Sequence, residues 1–145
     1  MEAYLLQLNP FDETVLVPRG KEFVIDETSA VLVSAFLKKL TPSAVDVEFR
    51  ALYQHSEDHL GIHLLQTLLS WFSHTLASAA DFELLQAYLY RLLIIYTDVF
   101  IEMAAVFGSN ISSLSRVHSN VGQSFRHLVQ ENICLLKLLS GVASI

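Results

Sequence analysis

The three histidines His55, His59 and His63 form the pattern in this chain that comes nearest to a metal site. Two histidines four residues apart on a helix can chelate a transition metal, because both side chains project from one face. Along a helix, however, His55 and His63 would lie about 12 Å apart, so the three cannot converge on one ion. No HExxH or CxxC pattern accompanies them. We therefore expect a solvated histidine face, and neither a metal nor any other cofactor.

No pattern in the chain is typical of an enzyme site. Serines are frequent, but none lies in the GxSxG turn that presents a nucleophile. The carboxylate pairs Asp46/Glu48 and Glu57/Asp58 lie on predicted exposed helix faces, where nothing apolar raises a pKa. The 5 glycines form no GxG pattern, so no phosphate-binding loop is predicted. We expect a protein that is not an enzyme and has no small-molecule substrate.

The composition points to a protein partner and away from direct nucleic-acid binding. A chain of 145 residues is expected to form one domain. Its net charge is −6, and only 9 residues are Lys or Arg, too few and too scattered to neutralise a phosphate backbone. Charged residues make up 17% of the chain, below the roughly 25% of an average domain. So little charge predicts that another chain covers part of the apolar surface.

From Asp26 onward, the apolar periodicity and the start signals predict an all-α domain. Asp26 or Thr28 is a predicted N-cap, and Thr41 followed by Pro42 restarts the chain as a second helix. We expect a bundle of about five helices over residues 26–145, with two long antiparallel C-terminal helices. The expected helices run from Asp26 to about Leu40, from Thr41 onward, from about Glu57 to Ser78, from Asp81 to Phe107, and from about Ser112 to Leu139.

Residues 1–25 differ from the rest of the chain. Pro10, Pro18 and Gly20 interrupt any long helix, and the short runs between them favour β conformation. We expect this segment to be an extended arm that lies on the bundle. Within it, the stretch from Leu16 to Gly20 matches most of a thrombin cleavage site.

The segment Asp81–Phe107 contains neither Pro nor Gly and is almost wholly apolar. Its few polar side chains fall in one narrow stripe around the predicted helix. This pattern favours the central helix of a bundle. Ile94 and Ile101 lie in the middle of the polar stripe, seven residues apart. They are interface candidates: either they make a second core contact, or they form the edge of a docking surface.

The same segment is long enough to cross a membrane. Arg91, Asp98 and Glu102 are spaced through it, and each would cost on the order of 2.5–3.5 kcal/mol near the bilayer centre. We therefore expect no membrane association.

Two motifs carry a resemblance to a known family. Residues 42–52 read PSAVDVEFRAL and residues 81–89 read DFELLQAYL; the later run CLLKLL covers residues 134–139. Together they resemble the C-terminal helical domain of the Utp twenty-one family, called WD-repeat protein thirty-six in animals. The matching positions are Pro42, Ser43, Asp46, Glu48 and Arg50 in the first motif, and Phe82, Glu83, Gln86, Ala87, Tyr88 and Leu89 in the second.

The resemblance implies a function that composition does not supply. Members of that family are WD-repeat subunits of UtpB, within the small-subunit processome that assembles on pre-ribosomal RNA with the U-three small nucleolar ribonucleoprotein. It implies a docking domain in the nucleolus, bound to other UtpB subunits and processome proteins, with RNA reached only through the complex. The alternative is an unrelated acidic helical adaptor or oligomerisation module.

Overall fold

The computed structural model describes residues 1–11, 26–55 and 57–139 of the chain. In these residues it contains six helices and no strand, which confirms the predicted all-α fold. The helices are α1 (Glu2–Leu8), α2 (Glu27–Lys38), α3 (Pro42–Ala51), α4 (His59–Ala77), α5 (Phe82–Glu102) and α6 (Ala104–Leu139).

The starts of α2 and α3 follow from their capping residues. The Asp26 side chain accepts a hydrogen bond from the Ser29 amide at 3.1 Å, which satisfies one of the free donors of the first turn. The Thr41 hydroxyl accepts from the Ala44 amide at 3.3 Å. Pro42 occupies the first helical position, where its missing N–H leaves no hydrogen bond unmade. Both helix starts predicted from the sequence are observed.

Helix α4 lies at the centre of the bundle, because every residue from 61 to 69 is buried. Its stripe continues into Trp71, Phe72 and Leu76, none of which has exposed surface. The Trp71 indole N–H donates to the Ala30 carbonyl at 3.1 Å, which joins α4 to α2. A helix that is apolar all round is stable only when neighbours cover its whole circumference. The other helices therefore take their positions around α4.

The N-terminal segment is partly helical, so the prediction of an extended arm is wrong for Glu2–Leu8. Leu5 and Leu8 lie one turn apart and are both buried, which is helical and not extended spacing. The segment is joined to α4 where the His63 Nε2 atom lies 2.6 Å from the Asn9 carbonyl oxygen. Residues 12–25, including the thrombin-like stretch, lie outside the described residues.

Helix α5 is peripheral, so the prediction that it forms the centre of the bundle is wrong. Its buried side chains form a single stripe of five residues: Leu85, Leu89, Leu92, Tyr96 and Phe100. The rest of its apolar surface faces solvent or lies only half covered. The sequence reasoning failed because a helix with one packed face and one uncovered apolar face has the same composition as an enclosed helix.

The chain reverses at Met103, earlier than the predicted end of the helix at Gly108. Met103 leaves the helical conformation, with φ −108° and ψ 36°, and α6 begins at the next residue. Gly108 lies inside α6. The Phe100 and Phe107 rings pack edge to face across the reversal, with centroids 5.2 Å apart. This aromatic contact, and not a glycine, marks the turn.

Helices α5 and α6 run antiparallel. At one end, Phe82 stacks on His118 with ring centroids 5.6 Å apart, and at the other end Phe100 meets Phe107. Helix α6 also packs along α4, where the Gln66 side-chain amide donates to the Val106 carbonyl at 3.3 Å. Helix α6 therefore contacts both α4 and α5.

Tyr96 joins α5 to α3. Its hydroxyl donates to the Phe49 carbonyl, and the side chain is buried. Burial raises the pKa of Tyr96 to about 12. The Tyr53 ring packs edge-on against it, with centroids 6.0 Å apart. A tyrosine whose pKa is raised in the folded protein stabilises the fold while it stays neutral.

We predict that Tyr96→Phe flattens the alkaline loss of stability. An unfolded tyrosine ionises near pH 10, whereas folded Tyr96 ionises at about 12. The stabilisation is therefore complete below about pH 10 and is lost as pH rises from there to about 12. At pH 7 the variant should lose about 1 kcal/mol of unfolding free energy, because the Phe49 carbonyl loses one of its two donors and keeps the Leu52 amide. Urea titrations from pH 7 to 11 measure both effects. The exposed Tyr90→Phe is the control, and an unchanged pH slope in Tyr96→Phe would refute the prediction.

A second prediction concerns Gly61, where the backbone of α4 approaches its own cap. The Asp58 carboxylate accepts from the Gly61 amide at 2.8 Å. A Cβ at this position would lie 2.4 Å from Asp58 Oδ2 and 2.8 Å from the Leu52 carbonyl oxygen. Gly61→Ala should therefore cost about 1–3 kcal/mol of unfolding free energy. At Gly108 a Cβ would meet nothing within 4 Å, so Gly108→Ala should stabilise α6 by up to about 1 kcal/mol. Equal effects of the two variants in thermal denaturation would contradict this account.

Candidate functional site

The three candidate histidines do not share one helix face, so that part of the prediction is wrong. Helix α4 begins at His59, and His55 precedes it on the exposed connection from α3. His63 is buried, with its ring 5.5 Å from the Phe11 ring and its Nε2 against the Asn9 carbonyl. Among the described residues, no group of three or more His, Cys, Asp or Glu side chains could hold a metal ion. His63 instead joins the N-terminal segment to the core.

The first sequence motif mainly positions α3. Pro42 begins the helix and Ser43 is exposed beside it. Glu48 lies 3.3 Å from the amino group of Met1, and Arg50 is exposed. This set of residues does not converge on one point.

Asp46 of the first motif forms an ion pair across to α5. Its carboxylate accepts from the Arg91 Nε atom at 3.0 Å and from a second guanidinium nitrogen. These hydrogen bonds from Arg91 lower the pKa of Asp46 below its ordinary value. Because the pair is bidentate, it fixes the rotation of α5 relative to α3. The Arg91 charge is therefore already neutralised.

The second motif divides between the core and a solvent-facing surface. Leu89 is buried, Phe82 stacks on His118, and the Tyr88 hydroxyl donates to the Leu37 carbonyl at 3.3 Å. The other motif residues, Glu83, Gln86 and Ala87, are exposed. Asp81, predicted as the N-cap, makes no side-chain capping bond and pairs with Lys38 instead.

A groove lies between α5 and α6, and the exposed residues of the second motif line part of it. Its volume is about 650 Å³. The residues that line it, here called the α5/α6 groove, are Glu83, Gln86, Ala87, Leu89, Tyr90, Leu93, Ile111, Leu114, Ser115 and His118. The floor is apolar, and the polar side chains lie towards the start of α5. Grooves of this size with an apolar floor and a few polar groups at the rim are typical of binding sites.

At the edge of the groove and beyond it, Tyr90, Ile94 and Ile101 of α5 face solvent; a fourth large apolar side chain of α5, Leu84, is 38% exposed on another side of the helix. Tyr90 is 64% exposed, Ile94 48% and Ile101 70%. Tyr90 and Ile94 lie one turn apart, and Ile101 lies beyond Tyr96, where the backbone leaves helical geometry with φ −113° and ψ 18°. These three side chains are here called the α5 ridge. Among the residues that the structure describes, none buries Ile94 or Ile101 in the core. Contiguous exposed apolar surface of this kind marks a contact with another molecule.

The charges around the α5 ridge are acidic. Glu83, Asp98 and Glu102 are all exposed on α5. None of the three forms an ion pair with any residue that the structure describes. Arg91, the one basic residue of α5, is paired with Asp46. The surface therefore combines apolar contact area with a negative rim.

Sequence reasoning found Ile94 and Ile101 but missed most of the groove. Neither Tyr90 nor Leu114 stands out in the sequence, because each lies among other apolar residues of its helix. Ile111 was missed because that helix was predicted to begin at Ser112, whereas α6 begins at Ala104. The spacing of Ile111, Leu114, Ser115 and His118 is that of one helix face and is the signal that could have found them.

The fold and this surface define an all-α domain with an uncovered apolar face. A family model, the Utp21-specific WD40-associated domain, matches residues 26–140. The chain therefore belongs to the Utp21 family, the one that its motifs resemble. Membership indicates a ribosome biogenesis factor, and the family is a component of the nucleolar processome. No curated protein sequence and no solved structure matches the chain.

One prediction separates the α5 ridge from the core. Ile94→Asp and Ile101→Asp should each change the free energy of unfolding by less than about 1 kcal/mol, because both side chains face solvent. Leu92→Asp, on the same helix but fully buried, should cost more than about 3 kcal/mol. Urea unfolding followed by the fluorescence of the single tryptophan measures all three. A loss at Ile94 as large as that at Leu92 would place the ridge in the core.

Proposed function

We propose that this chain is a protein–protein docking domain of a WD-repeat scaffold subunit in the small-subunit processome. In this role it supports pre-ribosomal RNA processing and assembly of the small ribosomal subunit in the nucleolus. Its partners are other UtpB subunits and processome proteins, and RNA is reached only through the complex. The observation that carries the proposal is the uncovered apolar face of α5 and α6, which includes half of the QAYL motif of the family.

The free energy of burying apolar side chains favours a partner that covers the α5 ridge in the assembled complex. Tyr90 and the two isoleucines of the α5 ridge are large side chains of the kind that dominate binding energies when a partner buries them. Burying a large aliphatic side chain contributes about 1.5–3 kcal/mol. An interface centred on three such residues is sufficient for specific docking, and a catalytic role is not needed to explain the exposed motif residues.

Docking explains α5 better than insertion into a membrane does. By length and composition, α5 is the one helix among the described residues that is apolar enough to cross a bilayer. Its mean hydropathy is 1.4, and 28% of its most apolar 18-residue stretch is buried inside the protein. Insertion would break the pair of Arg91 with Asp46 and would bury Asp98 and Glu102 in lipid, each at a cost of roughly 2.5–3.5 kcal/mol. A protein partner can cover the apolar side chains and leave these charges at its rim.

The alternative of an unrelated acidic adaptor is excluded by family membership. The other half of that alternative, oligomerisation, would be self-association of the domain through the same face. Light scattering of the purified chain distinguishes the two, because docking to another subunit predicts a monomer.

The docking role predicts that the α5 ridge controls recovery of the complex. Full-length protein carrying Ile94→Asp and Ile101→Asp should return at least about tenfold less of the processome proteins and U-three RNA in affinity purification, since each lost side chain contributes roughly 1–2 kcal/mol. Matched controls are Leu32→Asp and Val31→Asp on α2, whose exposures of 43% and 61% are similar. The controls should return the complex at the wild-type level. Equal recovery from the ridge variant and the controls would refute docking through this face.

A further inference from the structure

We propose that the α5/α6 groove binds a basic amphipathic helix of a partner protein. This inference rests on the proposed docking function and specifies the chemistry of the segment that docks. Three features of the groove lead to it: its length, its apolar floor and the sign of the charge at its rim.

The dimensions of the groove match a helix laid along it. From Glu83 to Leu93 the α5 wall is about 15 Å long at 1.5 Å per residue. A helix that enters such a groove does so with side chains at positions i, i+3 or i+4, and i+7, which span about 10.5 Å. Leu89 and Leu93 of α5 and Leu114 of α6 supply the apolar floor. A volume of about 650 Å³ accommodates several large side chains.

The contacts at its two ends show that the groove is a built feature. Helices α5 and α6 touch at Phe82 with His118 and again at Phe100 with Phe107. Between these contacts the two helices leave the groove open, because small or polar residues such as Ala87 and Ser115 face it. A partner helix would fill this space and continue the packing of the bundle.

The charge in the groove favours a basic partner. Glu83 is the one Asp, Glu, Lys or Arg residue among those that line the groove, and it is exposed near the start of α5. Asp98 and Glu102 lie on a different side of α5. Arg116 is exposed, but it lies about 150° around α6 from the residues that line the groove. A Lys or Arg residue that flanks the apolar side chains of a partner helix would meet the Glu83 carboxylate here.

Negative charge also disfavours other occupants. In a symmetric dimer two chains, each with a net charge of −6, would meet at this face, and no Lys or Arg lines the groove to pair with Glu83. The phosphates of RNA or of anionic lipid would be repelled in the same way. A basic helix is the occupant that both the apolar floor and the acidic rim favour.

Site-specific photo-crosslinking in the native full-length protein tests this proposal. The photoreactive residue p-benzoylphenylalanine replaces Gln86 on one wall of the groove, or Ser115 on the other, and Leu32 on α2 as the control. The crosslinked peptides are then sequenced by mass spectrometry. Both groove positions should capture the same segment of another protein, with an excess of Lys and Arg and apolar residues at i, i+3 or i+4, and i+7. The Leu32 position should not capture it.

Charge reversal provides the second arm of the experiment. Glu83→Lys should lower the yield of the Ser115 crosslink at least about threefold, whereas Glu57→Lys, on the exposed connection before α4, should leave it unchanged. An acidic segment, a peptide from a second copy of this chain, a lipid or RNA adduct, or no product from either groove position would overturn the proposal. Processome proteins recovered in the same purification report on the proposed function separately. Recovery without a basic-helix crosslink refutes the groove proposal alone, and the crosslink without that recovery refutes the processome assignment alone.

Discussion

The enclosure of α4 is the constraint on which the remaining helices depend. Residues 61–69 of this helix have no face left for solvent, so neighbours must cover its whole circumference. The Trp71 side chain of this helix finds a partner on a neighbour, because its indole N–H donates to the Ala30 carbonyl of α2. Once α1, α2 and α6 lie against α4, little of the core remains for α5. That helix buries one stripe and leaves its opposite apolar side uncovered.

The position of α5 explains why a motif of the family serves two purposes. Leu89 and Tyr88 fasten the helix to the bundle, and Glu83, Gln86 and Ala87 of the same motif face the α5/α6 groove. Residues one turn apart share a face, whereas adjacent ones differ by 100°, so a single helical segment can carry packing and recognition together. The Asp46–Arg91 pair holds α5 at the rotation that keeps this division.

Local signals in the sequence were sufficient for the all-α class and for helix starts such as Thr41 and Pro42, because capping is decided by a few neighbouring residues. They were insufficient where distant packing decides. The reversal at Met103 depends on the contact of Phe100 with Phe107, and the N-terminal helix depends on burial against α4. Ile94 and Ile101 stood out as apolar residues in a polar stripe. The groove did not, because half of it belongs to α6 and only the fold brings the two walls together.

The central claim is that a partner covers the exposed face of α5 and α6 in the assembled complex. Hydroxyl-radical footprinting tests it most directly, because it needs no substitution and reads side-chain exposure. Tyr90, which is 64% exposed in the free chain, should become protected when the native complex is compared with the isolated protein. Val31 on α2 should be modified to the same extent in both. Equal modification of Tyr90 in the free and assembled protein would contradict the account.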